Sequence, residues 1–235
     1  MTKKSSIRER FTSIIENQIL SGQLAIGQRL PPEREISSSL GISRTIVHAG
    51  LIELAAKKVL RIVPRKGTFV NDYRREGTFE IYTLLMQYTG KIDRNLFNSL
   101  MEYRGIFETG NARLAASHRS DEDITALREL LQNERSATTA EEAADLDYEM
   151  HLAIALATNN LILPMTISST QCMYKELVRL FYQRLDDREQ VYALHEKLIS
   201  AIEQRNAEGA ESVMREILIH GEGILNDHFK RPQAG

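Results

Sequence analysis

Two short helical patterns separated by a single glycine turn constrain the fold of this chain more than any other feature. The first pattern, EREISSSL, follows Pro31-Pro32 and stops at Gly41, a residue that can take the left-handed conformation at a helix end. The second pattern starts after Ser43, which can cap it, and carries apolar residues along its turns as far as Ala56. Two short helices joined in this way predict a helix-turn-helix, preceded by an amphipathic helix over residues 6–20.

The stretch LRIVPRKGTFV, directly downstream, has the composition of two short strands. Its β-rich pieces are Leu60–Val63 and Thr68–Val70, and the turn Pro64-Arg65-Lys66-Gly67 joins them. A hairpin beside a helix-turn-helix predicts a winged domain with two cations at the tip of the wing. Because the second helix of such a motif can enter a DNA major groove, Arg44 at its start and the wing could reach the same phosphates and groove edges.

The charge of the chain is divided unevenly along its length. Residues 1–75 contain fourteen Lys and Arg against six Asp and Glu, a net charge of +8, and the remaining residues therefore carry −10. A cationic small domain joined to an acidic larger one fits a polyanion-binding head on a solubilising body. The single cysteine, Cys172, excludes an intrachain disulfide and is expected to be a small buried hydrophobe in a protein of a reducing compartment.

The amino-terminal segment does not predict secretion. It starts basic, but Arg8, Glu9, Arg10 and Glu16 interrupt its apolar positions. Elsewhere the sequence contains no run of the ~18 apolar residues that a membrane span needs. We therefore expect a soluble, cytoplasmic protein that does not contact a membrane.

From residue 78 onward the sequence shows helical patterns only. They cover 78–89, 95–117, 121–134, 141–158, 161–184, 188–205 and 207–228, and a polar segment over 73–77 precedes them. The sequence therefore predicts a mainly α protein in four parts. These are a winged helix-turn-helix domain over 1–72, a linker over 73–77, an all-helical bundle of six to seven helices over 78–228, and a tail over 229–235.

Residues 14–70, from IIENQILSGQLAIGQRLPPEREISSSLGISRTIVHAGLIEL to VPRKGTFV, strongly resemble the DNA-binding head of the GntR family of bacterial repressors. The resemblance implies contacts to double-stranded operator DNA by Arg34 of the LPPERE segment and by Arg44 after the turn. It also implies phosphate contacts by hydroxyl groups and by the wing, through Ser43, Thr45, Arg65, Lys66 and Gly67. Arginine offers a bidentate fork to guanine, whereas hydroxyl and backbone N–H groups hold a protein on the duplex without reading its sequence.

His48 departs from that family pattern, because members of the family usually have arginine at this position. A histidine there could still donate a hydrogen bond to DNA, although it is a weaker cation near neutral pH. The alternative is an exposed helix residue without a partner. Base preference at this position is therefore left open.

The remainder of the chain is similar to the effector domain of the FadR subfamily, known as the FCD fold. TFEIYTLLMQYTG, residues 78–90, matches the extra helix of its seven-helix version. LMEYRGIFETGNARLAA matches its Arg-x-x-x-Glu helix at Arg104 and Glu108. The resemblance implies that these two residues and Asn160 bind the effector, since a buried guanidinium can hold a carboxylate with two hydrogen bonds. Helix capping would account for Asn160 equally well.

DYEMHLAIALATNN matches the Asp-x-x-x-His helix of the same domain at Asp147 and His151, and LHEKLISAI aligns with its next histidine, His195. Asp147 and His151 share one face of a helix, so their side chains could bind the same cation. The family pattern expects a fourth ligand where this chain has Ile217, and His220 lies one turn further on. These residues predict a divalent transition metal such as zinc. Histidines making ordinary hydrogen bonds in a helical bundle are the alternative.

Taken together, these features favour a homodimeric transcription regulator, a repressor that binds a palindromic operator and responds to a small organic acid or sugar acid. Two alternatives stay open. A metal-dependent enzyme with a DNA-binding appendage could use the same ligands to activate water, although the sequence shows no HExxH base and no nucleophile motif. A constitutive DNA-binding protein would use its helical domain only to dimerise.

Overall fold

The structure is a computed structural model. It describes residues 6–77, 81, 84, 92, 94–185 and 188–230, the last four of these by their backbone only. The chain divides into two compact units, Met1–Gly90 and Lys91–Gly235. Each unit has its own hydrophobic core.

The first unit begins with three helices and a hairpin. They are α1 (Ile7–Leu20), α2 (Glu33–Leu40), α3 (Arg44–Ala56), β1 (Leu60–Val63) and β2 (Gly67–Val70). The strands pair antiparallel, with Leu60 opposite Val70. The winged helix-turn-helix predicted from the sequence is thereby confirmed.

The helix ends of this unit carry the predicted caps. Ser43 accepts a hydrogen bond from the backbone N–H of Ile46 at the start of α3. Gly41 ends α2 with a φ of 64°, a conformation that costs glycine nothing. The apolar faces of the helices and the hairpin meet in one core, formed by Phe11, Ile15, Ile19, Leu30, Ile36, Val47, Leu51, Leu54, Val59, Leu60 and Val70.

A third stretch of chain borders the hairpin, and the sequence did not predict it. Leu30 donates a backbone hydrogen bond to Thr68, and Val70 donates one to Gln28, both at 2.9 Å. Arg29 lies between these bonds and forms a bridge to Phe69. The loop that carries Arg29 therefore continues the sheet on the outer side of β2.

A short helix, α4 (Tyr73–Glu76), lies inside the predicted linker. Beyond it, Ile81 is buried in the core of the first unit and Leu84 packs against that core. Most of the predicted helix over 78–89, which includes the extra helix of the FCD resemblance, lies outside the described residues, as does most of the predicted tail. The predicted domain boundaries stay predictions.

Seven helices are described in the second unit. They are α5 (Arg94–His118), α6 (Asp121–Ser136), α7 (Ala140–Leu156), α8 (Leu163–Ser169), α9 (Gln171–Tyr182), α10 (Glu189–Glu203) and α11 (Ala207–Lys230). None of the described residues of this unit forms a strand, which confirms the mainly α fold class. Among the described helices, none is long and apolar enough to cross a membrane.

The prediction of a single helix over 161–184 is wrong, because the chain forms two helices there, which meet at Thr170. Three hydroxyl groups near the break bond to backbone carbonyls three residues earlier. Thr166 donates to Leu163, Ser169 to Thr166, and Thr170 to Ile167. Such bonds compete with the helical hydrogen-bond ladder and bend or end a helix.

Cys172 is exposed, which corrects its expected burial. The helix that carries it, α9, is amphipathic, and its inward face is occupied by Met173, Tyr174, Leu177 and Val178. Position 172 lies outside that face.

Candidate functional site

Four cations of the first unit are exposed on the elements predicted to contact DNA. Arg34 belongs to α2, Arg44 starts α3, and Arg65 and Lys66 form the tip of the wing. Within the described part of the chain, none of the four takes part in an ion pair. Ser43 and Thr45 are exposed beside Arg44. These charges are therefore available to an external anion.

His48 has a partner, which the sequence did not predict. Its Nδ1 lies 2.8 Å from Oε1 of Glu33, so a residue of α2 holds a side chain of α3. More than half of the His48 side chain is nevertheless exposed. Because Nδ1 is engaged, Nε2 is the ring nitrogen left for another molecule.

The wing contains one residue pair that sequence reasoning missed. Gly67 has a φ of 117°, and a Cβ atom at that position would lie 2.9 Å from Nε of Arg29. The Arg29 guanidinium therefore lies against the wing turn, and its side chain is exposed. No local sequence pattern indicates this pair, because the contact depends on the third strand segment at the hairpin.

In the second unit, Asp147, His151 and His195 come together as predicted. Each offers one ligand atom, these atoms lie within 4.8 Å of one another, and all three residues are buried. The helix α7 places Asp147 and His151 one turn apart, and α10 supplies His195. The arrangement offers one oxygen and two nitrogen atoms that could bind the same ion.

Both histidines are oriented by glutamates. Nδ1 of His195 lies 2.8 Å from Oε2 of Glu134, and Nδ1 of His151 contacts Oε2 of Glu108. The Nε2 atoms of both rings are buried and have no hydrogen-bond partner among the described residues. A buried imidazole nitrogen without a partner, on a ring whose other nitrogen faces a carboxylate, is what a transition-metal ligand requires. The residues present therefore fit a divalent metal.

Asp147 is held by two tyrosines. The hydroxyl of Tyr174 donates to its Oδ1 at 2.9 Å, and that of Tyr182 donates to its Oδ2 at 3.3 Å. Burial raises the pKa of both phenols, and nearby carboxylates raise it further, so both remain protonated donors at neutral pH. Two fixed hydroxyl groups thus set the orientation of the carboxylate.

Arg104 and Glu108 form a buried pair on α5. Nε of Arg104 lies 2.5 Å from Oε1 of Glu108, and its Nη2 donates to the hydroxyl of Tyr174 at 3.0 Å. Burial alone would raise the pKa of Glu108, but the charge of Arg104 and the contact with His151 outweigh it and lower that pKa to about 2. Glu108 is therefore an ionised group that orients Arg104 and His151.

A cavity opens beside this cluster. Arg104, Asp147 and His151 line one part of it, and Ile217 and His220 of α11 line another. His220 does not belong to the three-residue ligand group, but its Nε2 is buried and without a hydrogen-bond partner among the described residues. Burial lowers the pKa of His220, which favours the neutral imidazole.

Asn160 lies elsewhere. It is exposed, and its Oδ1 accepts hydrogen bonds from the backbone N–H groups of Ile162 and Leu163, at 2.8 and 3.1 Å. It does not line the cavity. These bonds at the start of α8 favour the capping role that the sequence left open.

Three residues of this site escaped sequence analysis: Glu134, Tyr174 and Tyr182. In the sequence, the two tyrosines look like apolar positions of an amphipathic helix. Glu134 looks like an ordinary charged residue at the surface. Each reaches the site across 27 to 61 residues of chain, a separation that no local pattern encodes.

Comparison with known proteins agrees with this organisation. The family model described as bacterial regulatory proteins, gntR family, matches residues 8–70, and the FCD domain model matches residues 99–220. The Uxu operon transcriptional regulator of Escherichia coli (strain K12) is 30% identical over 218 residues, which cover 86% of this chain and 80% of that protein. The Glc operon transcriptional activator of the same strain is 27% identical, with coverages of 91% and 87%.

Solved structures agree in fold. Escherichia coli McbR/YncC has a TM-score of 0.52 and 19% identity, covering 96% of this chain and 100% of its own. Lar, which controls the expression of the Listeria monocytogenes agr system, has a TM-score of 0.62 and 15% identity, with coverages of 96% and 99%. At these identities the comparison concerns the fold alone.

Proposed function

This chain belongs to the GntR family of bacterial regulators and carries an FCD domain, and on that premise we propose that it binds operator DNA under the control of a small carboxylate. The four exposed cations without ion-pair partners among the described residues carry the first half of the proposal. Arg34 and Arg44 would read bases, and the wing cations Arg65 and Lys66 would bind phosphates. Ser43, Thr45, His48 and Gly67 would complete this surface.

The second half rests on the cavity of the second unit. The buried guanidinium of Arg104 bonds to Glu108 and Tyr174 through Nε and Nη2. Its Nη1 takes no part in these bonds and can donate to a carboxylate of the ligand. Asp147, His151 and His195 would hold a divalent metal such as zinc, with His220 as a further ligand. When bound, such an ion supplies a positive charge that attracts an anionic group. Asn160 supports α8 in this proposal and does not touch the effector.

The regulator would act as a homodimer on a palindromic operator, because the two-fold symmetry of a dimer is mirrored in its half-sites. We propose that it represses, in keeping with the sequence resemblance. One relative, the Glc operon protein, is an activator. A reporter gene under the operator, measured with and without the regulator, decides the direction.

The relatives are transcription regulators, which disfavours the metal-dependent enzyme. That alternative predicts hydrolysis of small esters by the purified protein, abolished by chelation. The constitutive DNA-binding alternative predicts that no metabolite raises the melting temperature of the protein.

The proposal is tested with untagged, full-length protein. Fluorescence anisotropy with its own promoter region should show binding at low salt, and failure to bind any DNA there would refute it. Elemental analysis then tests the metal site. His195→Ala should lose the metal, and His220→Ala should retain less than the unaltered protein if His220 is a ligand.

A further inference from the structure

We propose that the ligand of the cavity in the second unit is a monocarboxylic acid with an unsubstituted apolar tail, and not a polyhydroxylated sugar acid. The inference rests on the proposed function, because it takes this cavity as the effector site. It narrows the class of ligand from any small carboxylate to an amphipathic one.

The walls of the cavity are mostly apolar. Three helices contribute them, through Val178 and Phe181 of α9, Val191 and Leu194 of α10, and Ile217 and Leu225 of α11. None of these side chains can donate or accept a hydrogen bond. Each methylene group that leaves water for such a wall tightens binding by about fourfold.

The polar side chains that line the cavity are few, namely those of Arg104, Asp147, His151 and His220. Asp147 accepts hydrogen bonds from two tyrosines, and Nδ1 of His151 faces Glu108. Nη1 of Arg104 and the Nε2 atoms of His151 and His220 are outside these bonds. Of these groups, Nη1 of Arg104 can donate to one carboxylate at one end of the ligand, and a metal held by the Nε2 atoms would attract the same carboxylate.

A chain of ligand hydroxyls would find no comparable set of partners. The remaining lining residues are those of the apolar wall, Leu218 and Gly221. A hydroxyl buried there without a partner weakens binding by about fivefold or more. The cavity therefore discriminates between two acids of the same length by the tail and not by the carboxylate.

Ile217 adds an observation specific to this chain. The family pattern has a histidine at this position, and here a partly buried isoleucine lines the cavity instead. The substitution exchanges a polar ring for a branched aliphatic group, which extends the apolar wall formed by α9 and α10. The residue that departs from the pattern thus agrees in chemistry with its neighbours.

Hexanoate and gluconate form a matched pair for the test, because both are six-carbon monocarboxylates and differ in their hydroxyl groups. Isothermal titration of the full-length protein should give a Kd for hexanoate at least about tenfold lower than for gluconate. Hexanoate should also bind about fifteenfold more tightly than butanoate. Equal or tighter binding of gluconate, or affinity independent of chain length, would overturn the proposal.

Variants of α11 provide the control. Ile217→Asn should weaken hexanoate binding by about tenfold or more, whereas Ile219→Asn, at a position 63% exposed, should leave it unchanged. If Ile217→Asn does not fold by circular dichroism, Ile217→Ala replaces it and should reduce the gain per methylene. An equal effect of both positions contradicts the assigned wall.

Operator binding is measured on the same preparation. Loss of all DNA binding refutes the proposed function itself. Intact DNA binding without binding of any apolar-tailed acid refutes only the inference about the ligand.

Discussion

Glu134 is not a ligand in the proposed metal site, yet it sets the tautomer and the orientation of the ligand His195. Its carboxylate beside Nδ1 favours the tautomer in which Nε2 carries the free electron pair, and it fixes the plane of the ring. Burial alone would lower the pKa of His195, and Glu134 reverses the direction so that this pKa is raised. The sequence reveals the histidine, but only the fold reveals the group that orients it.

Removing the charge of Glu134 should therefore weaken metal binding without removing a ligand. We expect Glu134→Gln to lower the zinc affinity by about 10- to 100-fold, measured by competition with a chelating dye. Glu196→Gln is the matched control, because Glu196 lies next to His195 in α10 but pairs with Arg135 at the surface. Unchanged zinc affinity in Glu134→Gln would show that the pair with His195 has no role in binding.

Arg44 is the residue expected to read a base. It begins α3, is exposed and has no ion-pair partner in the described chain, so its guanidinium can form two hydrogen bonds to guanine. Arg44→Ala should cost on the order of 1–3 kcal/mol at one operator position and relax specificity there. Binding to a set of single-base operator variants measures this. A loss that is equal for every variant would assign Arg44 to a phosphate instead.

At the scale of elements, α1 and α3 approach each other through Gly50. A Cβ atom at this position would lie 2.5 Å from Cδ1 of the Phe11 ring, and Phe11 is fully buried. The glycine therefore permits a helix packing distance that no other residue allows. The ring cannot move away without disturbing the core of the first unit.

Gly50→Ala should consequently destabilise the protein by about 1–3 kcal/mol, through overpacking of the core. Gly105→Ala is a control of opposite sign, because Gly105 lies within α5 and a Cβ there meets nothing within 4 Å. That change should stabilise by about 0.5–1 kcal/mol. Urea unfolding followed by circular dichroism compares the two, and equal effects would contradict the close approach of α1 and α3.

The elements that the sequence predicted correctly are those with local signals. A capping serine, a left-handed glycine and an amphipathic period defined α1 to α3, and Ser120 with Asp123 marked the start of α6. The errors arose where distant contacts or side-chain hydroxyl groups determine the secondary structure. The strand segment at Arg29 exists because β2 lies beside it, and the break at Thr170 follows from hydroxyl bonds that a hydrophobic pattern does not show. In the site, Asp147 and His151 share a helical spacing and the resemblance identified His195 and Glu108, whereas Glu134, Tyr174 and Tyr182 carry no local signal.

For the whole molecule, the division of charge predicts the salt dependence of DNA binding. Residues 1–75 carry a net charge of +8 and the rest of the chain −10, so the attraction to phosphates is concentrated in the domain that binds DNA. The logarithm of the binding constant should fall linearly with the logarithm of salt concentration, by about 0.9 per phosphate neutralised. Lys66→Ala should reduce that slope by about 1 per protomer and weaken all sequences alike. An unchanged slope would remove the wing from the phosphate contacts.

Any coupling between ligand binding and operator binding is described by a single free energy. If an acid in the cavity of the second unit changes operator affinity, operator must change the affinity for that acid by the same factor, because the four states form a closed cycle. A typical coupling of ~1–3 kcal/mol changes each affinity by about 5- to 150-fold.

The Kd for operator should shift by such a factor at saturating hexanoate. The Kd for hexanoate should shift by the same factor when hexanoate is titrated into the protein–operator complex. At a hexanoate concentration near the Kd of the unaltered protein, Ile217→Asn should reduce the shift, because it weakens hexanoate binding. If the two factors differ, hexanoate also acts outside this cycle, and if operator affinity does not change, the helical domain is not a sensor of this acid.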